Sequence, residues 1–191
     1  MIKTNELNLN DKYKIIALFG EGGSGKDTML GKLHYANPQY NILVKTTTRD
    51  PRDYEIDGVH YHFLSPEDFA IKVLNGDLIE VASFNNWFYG TDIHELKKDT
   101  INMGVFSIYG IECMLDDPRL EVYPIYIQAS DKTRLLRSLN REQNPNCEEI
   151  CRRFFADKKD FADIPFDYHV FNNENGSLPA VLSNYIKDLF V

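Results

Sequence analysis

Tyr13-Lys14-Ile15-Ile16-Ala17-Leu18-Phe19 runs directly into Gly20-Glu21-Gly22-Gly23-Ser24-Gly25-Lys26-Asp27, and the residues from Asp27 to Leu33 read as a helix. An apolar strand, a glycine loop and a helix, in that order, make a phosphate cradle. Small residues let backbone N–H groups turn inward, the helix N-terminus adds positive potential, and Lys26 reaches the outer phosphates. A glycine-rich hairpin turn would give no reason for a lysine at the start of a helix. The spacing predicts that Gly20, Glu21, Gly22, Gly23, Ser24, Gly25, Lys26, Asp27 and Thr28 form a nucleoside triphosphate site.

Asp27 stands where the motif ordinarily has Ser or Thr to ligate Mg²⁺. A carboxylate is a hard oxygen ligand that suits the ion, but it adds negative charge beside the phosphates. The alternative is that Asp27 only complements the dipole of the helix it begins. Thr28 is the nearest hydroxyl able to share the metal role.

Outside this stretch, strands and helices alternate. Leu78–Phe84 and Trp87–Tyr89 read as a hairpin around Asn85-Asn86. Asp92–Thr100 reads as a short polar helix, Val105–Tyr109 and Val122–Ile127 as strands, and Asp131–Arg141 and Cys147–Phe161 as helices. Tyr168–Phe171 reads as a strand and Leu178–Phe190 as a closing amphipathic helix. This alternation predicts an α/β fold with a parallel sheet covered on both faces. Thr46–Thr91 breaks the pattern, with Pro66–Asn75 its one clear helix, and reads as an inserted substrate lobe.

At 191 residues, 43% hydrophobic and 26% charged, the chain suits one compact domain. Its net charge of −8 argues against nucleic acid as a partner. No stretch approaches the ~20 apolar residues of a membrane span, and the polar start over Met1–Lys14 has no leader pattern. Three cysteines, an odd number, fit reduced thiols in a cytoplasmic setting. Cys147 and Cys151 have no nearby histidine to complete a zinc site and read as ordinary thiols.

The lobe opens on Thr46-Thr47-Thr48-Arg49-Asp50-Pro51-Arg52. Two arginines preceded by hydroxyls and spaced by a stiff proline form a fork for a second phosphate. Tyr61, Glu80, Tyr89 and Thr91 follow. A phenol donates to phosphate oxygens, and a buried carboxylate accepts two hydrogen bonds from an amidine-like edge such as that of guanine. Singly, the tyrosines also fit strand-pairing aromatics, and Glu80 a solvated charge.

Three blocks together resemble the guanylate kinases over about Tyr13 to Phe190: the glycine loop through Thr28; Thr46–Tyr61 continuing through Asn75, with Thr-Thr-Arg-x-Pro-Arg, Asp57-Gly58 and Tyr61-His62-Phe63; and Leu78–Thr91, with Ile79-Glu80 and Phe88-Tyr89-Gly90. The resemblance implies a P-loop nucleoside monophosphate kinase sandwich of three layers around a parallel sheet. It divides the chain into a core (1–44, 92–133 and 154–191), a GMP-binding lobe (45–91) and a helical lid (134–153). It implies transfer of phosphate from ATP to GMP or dGMP with Mg²⁺, by a cytoplasmic monomer or homodimer. Arg49, Arg52, Tyr61 and Tyr89 would hold the acceptor phosphate, and Glu80 would read guanine with Thr91. Arg137, Arg141 and Arg153 would close over the ATP phosphates and join Lys26 in catalysis. Arg134 and Arg152 read as a solvated basic face. Asn172 would lie at an adenine-side loop.

The chain departs from that pattern in places. Glu21 and Gly22 replace Pro-Ser, and Lys45 replaces a serine that helps with the purine. Gly110 replaces the first of two acids after the Val105–Tyr109 strand, leaving Glu112 beside Asp27 as a candidate metal carboxylate. The Gly-Lys-Asp loop, Gly110 and the tail from Asn172 to Leu178 also resemble the ribose 1,5-bisphosphate phosphokinases. Those lack the purine-reading Glu and much of the double-Arg block. A Gly-Lys-Asp loop is found in viral deoxynucleotide kinases too. Non-catalytic guanylate kinase-like binding modules are another class, usually with an eroded loop, whereas this chain keeps Lys26.

Overall fold

The computed structural model describes residues 12–84, 86–141, 143–164, 166, 169–172, 182, 185 and 186. In chain order these form β1 (Tyr13–Phe19), α1 (Lys26–Ala36), β2 (Asn41–Ile42), β3 (Thr46–Thr47), β4 (His62–Phe63), α2 (Pro66–Asn75), β5 (Leu78–Phe84) and β6 (Trp87–Asp92). A 3-10 turn (Ile93–Glu95) follows, then β7 (Asn102–Val105), α3 (Ile108–Leu115), β8 (Leu120–Gln128), α4 (Asp131–Leu139), α5 (Cys147–Asp160) and β9 (His169–Phe171). Strands order as β2-β7-β1-β8-β9 in one sheet and β4-β3-β6-β5 in a second. In the first, β2–β7 and β8–β9 are parallel, and in the second β6 runs antiparallel to both β3 and β5.

The helix boundaries follow local chemistry. Ser65 accepts the Asp68 N–H, Pro66 takes the first helical position where its missing N–H costs nothing, and Gly76 ends α2 in the left-handed region at φ 71°. Ser107, Ser130 and Asn146 cap α3, α4 and α5 in the same way. The Ser107 cap overturns the expected strand over Val105–Tyr109: that apolar run straddles the end of β7 and the start of α3. The expected helix over Asp92–Thr100 is also absent. Asp92 ends β6 and accepts the His94 N–H, which closes a single 3-10 turn. The buried Asn102 then accepts from the N–H of Lys97 and donates to its carbonyl, both at 2.9 Å, holding that segment as a loop. In the closing helix expected over Leu178–Phe190, Leu182, Tyr185 and Ile186 are helical, and the rest lies outside the described residues.

Two compact units divide the chain: the described residues up to Ala17 with Pro38–Tyr123, and Leu18–Asn37 with the chain from Pro124 onward. The boundary passes through β1 and β8. The first unit buries Leu43, Met103, Phe106, Ile111 and Met114. The second buries Met29, Leu33, Ile125, Ile127 and Phe19, whose ring stacks on Tyr126 at 5.2 Å and meets Phe166 edge-on at 5.2 Å. Truncating an aromatic buried this way costs about 3–5 kcal/mol. Among the described residues no helix is long and apolar enough to cross a membrane.

Candidate active site

In the second unit the loop after β1 is built as a phosphate cradle. Gly25 caps α1 at φ 94°, a conformation that disfavours any side chain, and an added Cβ would lie 2.4 Å from the Asn172 amide nitrogen. Lys26 Nζ donates to the carbonyls of Gly20 (2.8 Å) and Glu21 (3.1 Å), so the lysine is held within its own loop. Burial pulls its ammonium below the usual lysine range, against the opposing charges of Asp27, Asp157 and Glu21. Asp27 and Thr28 are exposed in the first turn of α1.

A cavity of about 600 Å³ lies over this loop, lined by Gly22, Gly23, Gly25, Lys26, Asp27, Thr28, Arg137, Arg141 and Asn172. Lys32 and Ser138, which sequence reading did not single out, complete the wall. Lys32 follows Lys26 by six positions on α1, a spacing that no motif marks. Arg137 donates to the carbonyl of Ser24 at 3.2 Å. Asn172, expected beside adenine, donates from Nδ2 to that same carbonyl at 2.8 Å, so its side chain braces the phosphate loop. Arg153 is exposed and pairs with Glu149 at 2.6 Å; it lines a neighbouring cavity of about 210 Å³ that Arg141 shares.

Arg134 corrects the sequence reading most sharply. Expected on a solvated face, its side chain is 1% exposed. It pairs with Glu21 at 2.5 Å, Asp157 at 3.0 Å and Asp131 at 3.3 Å. A guanidinium is buried only where carboxylates compensate it, and those partners are scattered in sequence. The odd Glu21 within the loop was the available signal. Arg152 is exposed and paired with Glu149, as a solvated basic face requires.

The first unit carries the residues expected to hold the acceptor. Arg49 is gripped by Glu55 through a two-oxygen contact at 2.8 and 2.9 Å, and its guanidinium lies 5.6 Å from the Tyr61 ring centroid. Tyr61 and Tyr89 meet edge-on at 6.1 Å. Arg52 donates to the Tyr54 hydroxyl at 2.9 Å, and its backbone N–H donates to Glu55 at 2.8 Å. The structure thus gathers Arg49, Arg52, Tyr61 and Tyr89. It adds Glu55, a carboxylate now presenting to Arg49 the planar pair of oxygens that a phosphate also offers.

Glu80 is buried. Between Leu78 and Glu80 the β5–β6 register shifts: Leu78 faces Asp92, yet Glu80 faces Thr91. This bulge at Ile79 lets two successive residues, Ile79 and Glu80, both point inward. Glu80 Oε1 accepts from Thr91 Oγ1 at 2.9 Å and Lys45 Nζ at 3.0 Å, and Lys45 also lies 4.5 Å over the Phe106 ring. Gly110, in the first turn of α3, leaves room for the other oxygen: an added Cβ would sit 3.1 Å from Glu80 Oε2. Glu112 is exposed on the same helix. Among the described residues no group of three or more His, Cys, Asp or Glu side chains is arranged to hold a metal. The three cysteines are free thiols, Cys147 and Cys151 exposed.

This combination of a lysine-tipped phosphate loop and a separate arginine–tyrosine cluster has relatives. A guanylate kinase family model matches residues 12–189. The guanylate kinase of Helicobacter pylori strain J99 is 27% identical over 186 residues, covering 95% of this chain and 90% of the relative. That of Thermosynechococcus vestitus is 31% identical over 166 residues, covering 84% and 86%. The crystal structure of guanylate kinase from Anaplasma phagocytophilum superposes with a TM-score of 0.71 at 21% identity, covering 94% of this chain and 87% of that one, and so shares its fold. With the match spanning both the phosphate loop and the stretch from Arg49 to Thr91, the chain belongs to the guanylate kinase family.

Proposed function

We propose that this chain transfers the terminal phosphoryl group of ATP to GMP or dGMP. Glu80 is the observation that carries the reading of the acceptor. It is a buried carboxylate with one oxygen satisfied by Thr91 and Lys45, and Oε2 has no hydrogen bond among the described residues. Guanine offers N1–H and an exocyclic amine to such an oxygen pair, whereas adenine presents an unprotonated N1 that would face lone pairs. Lys45, beside the same carboxylate, supplies a donor for a purine carbonyl. A ribose bisphosphate has no edge that needs a buried acid, which favours the nucleotide over that sugar.

The acceptor phosphate is itself the nucleophile: its oxygen attacks the γ-phosphorus, ADP leaves, and no covalent enzyme intermediate is needed. Arg49, Arg52, Tyr61 and Tyr89 hold that phosphate, with Arg49 exchanging Glu55 for it. Lys26 stabilises the charge spreading over the oxygens in flight, joined by Arg137, Arg141 and Arg153 as the lid segment 134–153 closes. Closure also excludes water that would otherwise take the phosphate. The Mg²⁺ that accompanies ATP fits the donor set. Asp27 and Thr28 offer one carboxylate and one hydroxyl at the mouth of the cavity, and this ion keeps several waters and takes few protein ligands. When bound, it neutralises phosphate oxygens. Glu112 is the second candidate carboxylate.

An ADP-coupled assay with GMP, dGMP, AMP and ribose 1,5-bisphosphate tests this reading. GMP or dGMP should support the highest kcat/KM. Faster turnover of either other acceptor overturns it.

A further inference from the structure

Three elements of the second unit converge on one buried cation. Arg134 Nη1 donates to Glu21 of the phosphate loop, Nη2 to Asp157 of α5 at 3.0 Å, and Nε to the carbonyl of Gly22 at 3.0 Å. Asp157 Oδ2 also accepts the N–H of Gly22 at 2.6 Å. Both backbone polar groups of Gly22 are therefore held by side chains from α4 and α5. Glu21 Oε2 accepts from the Tyr126 hydroxyl of β8 at 3.1 Å, so its carboxylate is gripped on both oxygens. The contact is close all along: a Cβ added at Gly23 would fall 2.6 Å from the Arg134 carbonyl.

The loop residues fixed in this way are the ones that hold the catalytic lysine. Lys26 Nζ rests on the carbonyls of Gly20 and Glu21, either side of the Glu21 carboxylate's anchor. A shift of residues 20–22 would carry the ammonium away from the phosphates. A planar guanidinium reaches Glu21, Gly22 and Asp157 from three separate, rigidly placed nitrogens, whereas a lysine would have to serve all three from a single one.

We propose that Arg134 is a positioning residue for the ATP phosphates: through Glu21, Gly22 and Asp157 it fixes onto α4 and α5 the half of the loop on which the Lys26 ammonium rests. It touches no reacting atom itself. A purely structural account differs in one respect. If Arg134 serves only to neutralise buried acids, removing a charge of each sign together restores everything. If it positions the loop, balancing the charge leaves the Gly22 carbonyl without its donor and the loop loose.

The test uses the full chain with Arg134→Met, Arg134→Lys and the double variant Arg134→Met/Glu21→Gln. ATP affinity with Mg²⁺ is measured by calorimetry, which needs no acceptor and so stands apart from the reading of GMP. The melting temperature and the KM for GMP are measured alongside. Arg134→Met should weaken ATP binding at least tenfold while the GMP KM changes less than twofold. The double variant should regain melting temperature relative to Arg134→Met yet still bind ATP at least fivefold more weakly than wild type. ATP affinity unchanged in Arg134→Met, or restored in the double variant in step with the melting temperature, overturns the proposal. Should Arg134→Met not fold, Arg134→Lys decides: a folded variant with ATP binding weakened at least threefold supports it, and wild-type affinity overturns it.

Discussion

Among the described residues, Glu21 in one unit and Glu80 in the other are each buried against a cation, and these two pairs are built for different ends. Glu21 meets Arg134, whose side chain is 1% exposed, and both of its oxygens are occupied. Glu80 meets Lys45, whose side chain is 21% exposed, and both of its hydrogen bonds fall on a single oxygen. A guanidinium with several directed donors makes a fastening; removing one partner of such a buried pair costs about 3–5 kcal/mol. A lysine on a flexible stem offers a charge that can be shared with something else. Both oxygens of Glu21 are taken, while Glu80 Oε2, beside Gly110, has no hydrogen bond among the described residues.

The sharpest way to break that contrast is Glu80→Gln. An amide puts an N–H₂ where guanine brings its own donors, so kcat/KM for GMP should fall about 100-fold, equivalent to ~2–3 kcal/mol of lost discrimination. ATP affinity by calorimetry should hold within twofold. Equal losses for the two substrates would mean that Glu80 serves the fold and does not read the base. A smaller effect is expected from Gly110→Ala, whose methyl would press on Oε2. Overpacking of this kind costs ~1–3 kcal/mol, which should appear as roughly a tenfold loss in kcat/KM for GMP; unchanged acceptor kinetics would show that the room beside Oε2 is not used. The smallest effect concerns the donor unit. Asp27→Ala should raise the Mg²⁺ concentration for half-maximal rate several-fold, and Asp27→Ser should recover much of it. Superimposable Mg²⁺ titrations of wild type and Asp27→Ala would leave Asp27 only a helix-dipole role, with a stability effect of at most ~1 kcal/mol.

How far the sequence discloses this site depends on the range of the interactions. The phosphate loop is a run of neighbours, so its strand, glycines and lysine are readable together, and α2 carries its start and stop signals at Ser65, Pro66 and Gly76. The arginines and tyrosines of the acceptor cluster are readable as residue types, but Glu55 as the counter-ion of Arg49 is not, because nothing local distinguishes it from other surface acids. The bulge at Ile79 is equally hidden: an apolar–acid pair in a strand normally splits between the two faces, and only the β6 register shows that both turn inward. Arg134 was misread because a charged residue on a basic stretch is exposed unless distant acids compensate it, and Glu21 lies 113 positions away. Val105–Tyr109 was misread because a short apolar run has no period long enough to separate strand from helix.

The contact between Arg134 and Asp157 also ties together two points 23 positions apart in the chain. The chain between them, from the rest of α4 to most of α5, is thereby closed at its base. The entropy of closing such a loop grows only logarithmically with length, about 0.6 kcal/mol for each doubling. Changing the length of the chain between α4 and α5 therefore costs the fold little entropy. The segment that carries Arg137, Arg141 and Arg153 is thus a tethered arm, held at its base by Arg134 and, through Arg137, on the Ser24 carbonyl.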